Sequence, residues 1–177
     1  MSSGLKSVID TATANSTGYD TPPPCEFGAP EKFKDWRDGQ DRMFWSILDA
    51  TGGWGSGVGG WNDSTLFVYP DWVEVAFSGT PTISEINVFT LQDNYPAPSA
   101  PTESMIFTQY GITNFDVQYW DGSQWQTVPG GQITGNNLVW RKLTFSPINT
   151  TKIRVQINNS LAGYSRVTEI EAYTPGG

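Results

Sequence analysis

Three stretches of the sequence combine aromatic rings with planar polar side chains and have the composition of loops: FKDWRDGQD, QDNYPAP and NNSLAGYSR. A saccharide is recognised by an aromatic face that stacks on the C–H side of the sugar ring, and by amide, carboxylate and guanidinium groups that hydrogen-bond its hydroxyls. The candidate ligand-binding residues are Trp36, Arg37, Asp93, Asn94, Tyr95, Asn158, Asn159, Tyr164 and Arg166, with Tyr110 as a further ring at the foot of a strand. The sequence therefore indicates sugar recognition by loops.

Each of these residues also has a structural explanation. Arg166 could clamp an internal carboxylate, Tyr164 could pack beneath its loop, and Trp36 could cap the fold. We expect at least one of the three loops to contribute to binding. One stacked ring supplies roughly 1.5–3 kcal/mol and each hydrogen bond about 1 kcal/mol, so we expect dissociation constants near the millimolar range. Useful attachment would then need several copies, in a homo-oligomer or a larger assembly.

Two carboxylates could support hydrolysis instead. Glu169 and Glu171 are two residues apart on a predicted strand, where their side chains point the same way. A glycosidase needs two carboxylates roughly 5–10 Å apart across a cleft, and two glutamates on one strand of a sandwich rarely flank a groove. The chain has no histidine and one cysteine, Cys25, which excludes zinc sites, histidine-based triads and an internal disulfide. We therefore predict a protein that is not an enzyme.

The net charge of −8 limits the partners of the protein. An acidic surface repels phosphate backbones and anionic lipid, and no run of lysine or arginine offsets it. We expect no nucleic-acid partner and no membrane insertion. The first residues, MSSGLKSVIDTATANST, lack the basic start and apolar run of a secretory signal. We nevertheless expect an extracellular or surface-exposed protein, which could reach the outside by assembly into a virion.

Alternating apolar and polar residues dominate the chain after residue 72. Period-two alternation is typical of half-buried strands, and it occurs in WVEVAF, ISEINVFTL, FDVQYW, VWRKLTF, KIRVQI and RVTEIEAY. The pair Asp121-Gly122 is a strong signal for a two-residue hairpin between two of the strands. Short strands at this spacing, separated by turn residues, predict an all-β fold, an antiparallel jelly-roll β-sandwich.

The N-terminal part of the chain is less regular. We expect a tail over residues 1–7 and a single domain over 8–175, with an irregular insertion at about 19–45. A short helix is possible around PEKFKDW, residues 30–36, where Pro30 lies near the first turn. The proline-rich segment 93–104 is expected to be a long loop. In GGWGSGVGGWNDST, residues 52–65, we interpret Trp54 and Trp61 as core residues of a packed glycine-rich scaffold rather than as ligand-facing rings.

The strand sequences YPDWVEVAF, ISEINVF, ITNFDVQYWDGSQWQTV, WRKLTFSPINTTKIRVQI and YSRVTEIEAY resemble a known family. They are similar to successive strands of the discoidin domains, also called coagulation factor V/VIII type C domains, and of the related galactose-binding-like carbohydrate-binding modules. The resemblance extends from about residue 8 to residue 173. It implies a jelly-roll sandwich whose end loops form a ligand site, commonly for sugars, and often a structural calcium ion.

The resemblance also implies a set of calcium ligands. Asp49, in SILDATGGW, matches the ligand aspartate of the family, and Glu169 matches the glutamate on the last strand. Thr51 replaces a second acidic residue and could offer only its carbonyl oxygen. Glu169 also interrupts the apolar alternation of its strand, and a carboxylate on an apolar face needs a partner, which an ion would supply. Alternatively, Glu169 pairs with Arg166 or a backbone amide, or the strand carries a bulge.

Together these features predict a carbohydrate-binding module that recognises glycans weakly through loops at one end of a sandwich. The alternative is a structural or assembly module that contacts protein, such as a virion decoration, a fibre domain or a cell-surface adhesion domain.

Overall fold

The computed structural model describes residues 11–14, 31–34 and 41–46 as backbone strands, and residues 61–63, 65–77 and 79–176 in full. The described residues contain eleven β-strands and one short 3₁₀ turn at Leu161–Gly163. The strands are β1 (Thr11–Ala14), β2 (Glu31–Lys34), β3 (Asp41–Ser46), β4 (Trp61–Asn62), β5 (Asp71–Ala76), β6 (Thr82–Thr90), β7 (Ile112–Trp120), β8 (Trp125–Ile133), β9 (Trp140–Asn149), β10 (Lys152–Ser160) and β11 (Arg166–Tyr173).

The strands form two antiparallel sheets. One sheet has the order β1-β5-β10-β7-β8, and the other has the order β2-β3-β11-β6-β9, with β4 paired to the start of β11. Apolar side chains from alternating positions of both sheets meet between them, with Val75, Ile83, Phe115 and Val155 at most 1% exposed. The predicted all-β sandwich is confirmed. No helix among these residues is long and apolar enough to cross a membrane.

The structure tests four predictions about local structure. The helix proposed for residues 30–36 is wrong, because Glu31–Lys34 is a strand that pairs antiparallel with Asp41–Ser46. The hairpin after β7 is confirmed, although its loop has four residues, Asp121 to Gln124, closed by a 3.1 Å bond from Asp121 N to Gln124 O. The long loop at 93–104 is confirmed. Trp61 packs against the core, as interpreted, whereas Trp54 lies outside the described residues.

The break in alternation on the last strand is a bulge. The pairing of β11 with β6 shifts register between Val167 and Glu169, so Val167 and Ile170 both face the core. Glu169 and Glu171 consequently lie on the opposite face of β11. The bulge explains the break in the apolar alternation of β11.

Four loops cross from one sheet to the other at the same end of the sandwich. They cover residues 65–70, 161–165, 91–111 and 134–139. Because β5, β10, β7 and β8 are successive neighbours in one sheet, the loops lie side by side in that order. Backbone hydrogen bonds join them, with Phe67 N donating to Gly163 O (2.8 Å) and Leu161 N to Gly111 O (2.9 Å). We call this end of the sandwich the loop end.

Candidate functional site

Arg166, the first residue of β11, lies between two tyrosine rings at the loop end. Its guanidinium carbon is 5.3 Å from the ring centroid of Tyr164 and 5.6 Å from that of Tyr110. The ring of Tyr110 meets the ring of Tyr95 edge-on, at 5.3 Å between centroids and 83° between planes. We call these four half-buried residues the tyrosine–arginine row. Sequence reasoning named all four residues, and the structure brings them together from two separate loops and the start of β11.

The arginine of the row keeps donors for a ligand. Among the described residues it forms no ion pair; its Nη1 donates to the carbonyl of Tyr164 at 3.3 Å. Burial lowers the pKa of the Arg166 guanidinium, and the nearby carboxylate of Asp63 opposes that shift. The group still carries its charge at neutral pH, with five N–H donors in one plane. A half-buried cation beside ring faces can hydrogen-bond vicinal hydroxyls while the rings stack on the sugar.

Asp63 holds two of the loops in place. It is fully buried, and its Oδ2 accepts from Thr65 N (2.8 Å) and Thr65 Oγ1 (3.0 Å). Its Oδ1 accepts from Ser165 N (2.7 Å), and its own N–H donates to Ser165 O (3.0 Å). The carboxylate thus joins the segment before β5 to the residue between Tyr164 and Arg166. Sequence reasoning missed Asp63; the available signal was the pattern Asp63-Ser64-Thr65, which is typical of an aspartate that caps a turn.

Asp93 and Asn94 support their loop from within. Asp93 accepts bonds from Thr108 N (2.7 Å), Thr108 Oγ1 (2.8 Å) and Gln109 N (2.9 Å). Although burial opposes ionisation, these bonds keep the pKa of Asp93 below its usual value. Asn94 Nδ2 donates to the carbonyl of Ala97 at 2.6 Å. Both residues were predicted as ligand-binding residues, and the structure shows contacts that position Tyr95 and Tyr110.

The two predicted asparagines lie at the end of β10 that leads into the 161–165 loop. Asn158 and Asn159 are exposed. Asn158 Nδ2 donates to Asp116 Oδ2 at 2.9 Å, and Asn159 Oδ1 accepts from Ser160 N at 2.9 Å. Their role in binding stays a prediction. Trp36 and Arg37 lie outside the described residues.

The predicted calcium ligands are only partly described. Asp49 and Thr51 lie outside the described residues, and within those residues no group of three or more His, Cys, Asp or Glu side chains is placed to hold a metal. Glu169 is 3% exposed. Burial raises the pKa of its neighbour Glu171, and the charge of Glu85 adds to that rise. A carboxylate oxygen is a hard ligand of the kind that calcium takes, so Glu169 has the donor chemistry for a calcium ion.

A separate groove of about 280 Å³ lies between the edge strands β8 and β9. Its lining residues are Gly130, Gln132, Ile133, Thr134, Arg141, Lys142 and Leu143. Arg141 Nε is bonded to Asn136 Oδ1 at 2.8 Å, and Lys142 pairs with Glu103. Because both cations are engaged and no aromatic ring lines the groove, we place the candidate site at the tyrosine–arginine row.

Comparison with known proteins shows the fold. No family model and no curated protein sequence matches the chain. A family 32 carbohydrate-binding module of NanJ from Clostridium perfringens, in complex with galactose, matches with a TM-score of 0.53 and 16% identity over 96% of this chain and 99% of that chain. A second Clostridium perfringens module, in complex with GalNAc-β-1,3-galactose, matches with a TM-score of 0.51 and 13% identity over 96% of this chain and 100% of that chain.

A third match comes from another genus. A mutant of the chitosan-binding module 1 derived from a chitosanase/glucanase from Paenibacillus sp. IK-5 aligns with a TM-score of 0.51 and 16% identity, over 94% of this chain and 96% of that chain. The chain therefore has the β-sandwich fold of family 32 carbohydrate-binding modules, and the fold resemblance expected from the sequence is confirmed.

Proposed function

We propose that the protein binds glycans, without catalysing a reaction on them, through the tyrosine–arginine row at the loop end. The observation that carries the proposal is the position of Arg166, which lies in ring contact with both Tyr110 and Tyr164. Modules with this fold have been solved in complex with galactose and with GalNAc-β-1,3-galactose, which supports a saccharide as the ligand.

The geometry suits weak and selective recognition. The rings offer apolar surface to the C–H side of a sugar, while Arg166 supplies planar donors to two neighbouring hydroxyls. Loops joined by backbone hydrogen bonds lose little conformational entropy on binding. Catalysis is disfavoured because Glu169 is 3% exposed on a sheet face, where it cannot reach a bound glycan. Such a role suits a protein outside the cell or on a surface, where glycans are displayed.

Truncating the row is expected to remove binding. Tyr164→Ala and Arg166→Ala should each weaken binding of galactose or N-acetylgalactosamine by roughly tenfold or more, the equivalent of about 1.4 kcal/mol. Tyr110→Phe keeps the ring and should retain most of the affinity. The measurement is titration followed by NMR chemical shifts, which detects millimolar binding. Gln124→Ala, in the exposed hairpin at the opposite end, is the control and should bind like the wild type.

A broad glycan array separates the two candidate functions. If the folded wild-type protein bound no saccharide on the array, the proposal would be contradicted, and the assembly or adhesion role would be favoured.

We also propose that Glu169 helps to hold a structural calcium ion, together with Asp49 and the carbonyl of Thr51. When bound, the ion would neutralise buried carboxylate charge. Calcium at about ten times its dissociation constant should stabilise the protein by about 1.4 kcal/mol, which corresponds to a rise in Tm of roughly 3–6 °C. Differential scanning calorimetry of chelator-treated protein, with and without added calcium, measures the rise.

The calcium effect should depend on one carboxylate. Glu169→Gln is expected to remove the calcium-dependent rise in Tm, whereas Glu103→Gln, at an exposed glutamate, should keep it. A wild-type Tm that is the same in chelator and in calcium would rule the ion out.

A further inference from the structure

Three consecutive apolar side chains are exposed at the tip of the 65–70 loop. Leu66 is 50% exposed, Phe67 is 68% exposed and Val68 is 59% exposed. Contiguous apolar surface of this kind usually marks a site of interaction. Phe67 also has a φ of 57°, in the left-handed region that bulky residues rarely adopt. The left-handed backbone of Phe67 therefore occurs at the centre of the exposed apolar segment.

The tip is held by contacts with Gly163 and Ser160. Phe67 N donates to Gly163 O at 2.8 Å. Gly163 has a φ of 75°, and a Cβ added there would lie 2.6 Å from Leu66 Cδ1 and 2.8 Å from Phe67 Cε1. The side chains of Leu66 and Phe67 therefore lie directly on the backbone of Gly163. On the far side of the tip, the hydroxyl of Tyr69 is bonded to Ser160 Oγ at 2.7 Å and accepts from Ser160 N at 3.1 Å.

The tip continues the tyrosine–arginine row. The 65–70 loop lies beside the 161–165 loop, on the side opposite the 91–111 loop that carries Tyr95 and Tyr110. Gly163, on which Phe67 packs, is the chain neighbour of Tyr164. Neighbours along the row are 5.3–5.6 Å apart, so each step is about as wide as one pyranose ring. The row contains three such contacts, and the tip lies across the 161–165 loop from Tyr95 and Tyr110.

We infer that Phe67, with Leu66 and Val68, forms an additional subsite, and that the extended row binds at least a trisaccharide rather than a single terminal sugar. The inference rests on the proposed function and names its ligand class: an oligosaccharide with an apolar sugar face above the tip. A lipid bilayer is the other surface that an apolar tip could enter. It is disfavoured, because residues 65–70 contain no lysine or arginine and the protein carries a net charge of −8.

The test is the dependence of affinity on oligosaccharide length. Galacto-oligosaccharides and chito-oligosaccharides, from the monosaccharide to the pentasaccharide, are titrated into wild-type protein and into Phe67→Ala. In at least one series the wild-type affinity should rise roughly tenfold between the monosaccharide and the trisaccharide. Phe67→Ala should lose most of that rise, while its affinity for the monosaccharide stays within about twofold of the wild type. Phe67→Tyr, which keeps the ring, should retain the rise.

The outcomes separate the two proposals. Monosaccharide binding with no gain from added sugar units would overturn the inference and leave the proposed function intact. No binding of any saccharide would overturn both. Binding of the wild type, but not of Phe67→Ala, to phosphatidylcholine vesicles, without a length effect on sugar binding, would overturn the inference and assign the tip to lipid.

Discussion

Replacing Asp63 with alanine should destabilise the protein by about 3 kcal/mol, because two backbone N–H groups lose a buried acceptor. These donors are Thr65 N and Ser165 N, both held by the fully buried carboxylate. For a chain of this size the Tm should fall by roughly 6–12 °C. Glycan binding should be lost as well, since Asp63 positions Ser165 between Tyr164 and Arg166. Thermal unfolding and NMR titration with galactose measure the two effects.

The opposite end of the molecule provides a matched control. Asp121 makes the same kind of turn, with Oδ1 accepting from Ser123 N (2.8 Å), Ser123 Oγ (2.9 Å) and Gln124 N (2.9 Å), but it is exposed. Asp121→Ala should therefore change Tm much less and leave glycan binding intact, because water can replace the lost acceptor. If Asp63→Ala behaved like Asp121→Ala, burial would not be the reason for the importance of Asp63.

Period-two alternation was sufficient to predict the sandwich, because each strand has one face in the core. Val73 and Val75 of β5, and Ile153, Val155 and Ile157 of β10, are all buried. Sequence patterns failed at β2, where pairing with a neighbouring strand, rather than the local sequence, determines the structure. Residues 31–34 form a strand because β3, the next strand in the chain, pairs with them, and this pairing overrides the local signals on which the helix at residues 30–36 was based.

The sequence predicted which types of residue form the candidate site, but not which contacts each residue makes. Tyr95, Tyr164 and Arg166 were identified because rings and planar polar groups in loops suit a sugar. The same criterion selected Asp93, whose carboxylate accepts three bonds within its own loop, so that its role in binding stays a prediction. Composition cannot tell a polar group that supports a loop from one that faces a ligand, because that difference depends on which backbone N–H groups the folded loop brings near. Phe67 was missed for a related reason, since its exposure results from how neighbouring loops cross between the sheets.

The loops on the two sides of the tyrosine–arginine row are held in the same way. Each is anchored by an aspartate that accepts backbone N–H groups, Asp63 between the 65–70 and 161–165 loops and Asp93 within the 91–111 loop. A carboxylate with several short bonds fixes the backbone without using the rings for support. The rings of the row can therefore remain half-buried and available, which suits a preorganised site for weak ligands.

Gly111, which follows Tyr110 in the chain, is the position of a second substitution that should have a large effect on stability and binding. A Cβ added to Gly111 would lie 2.3–2.4 Å from three ring atoms of Phe107, and that ring is only 3% exposed. Gly111→Ala must therefore displace either the ring or the chain, and overpacking of this severity costs about 3 kcal/mol. Because the carbonyl of Gly111 also accepts from Leu161 N, the displacement should move Tyr110 away from Arg166. We expect glycan affinity to fall roughly tenfold or more.

A double-mutant cycle tests whether the ring of Phe107 is the cause. Phe107→Ala removes the ring that the added methyl group would strike, so Gly111→Ala should cost much less free energy of unfolding in that background than in the wild type. The expected coupling is about 2 kcal/mol, measured by chemical denaturation of the four proteins. Additive effects of the two substitutions would show that Gly111 is required for another reason, such as its own backbone conformation. A strong coupling would instead show that close packing of Phe107 on Gly111 fixes the position of Tyr110, and with it one side of the row.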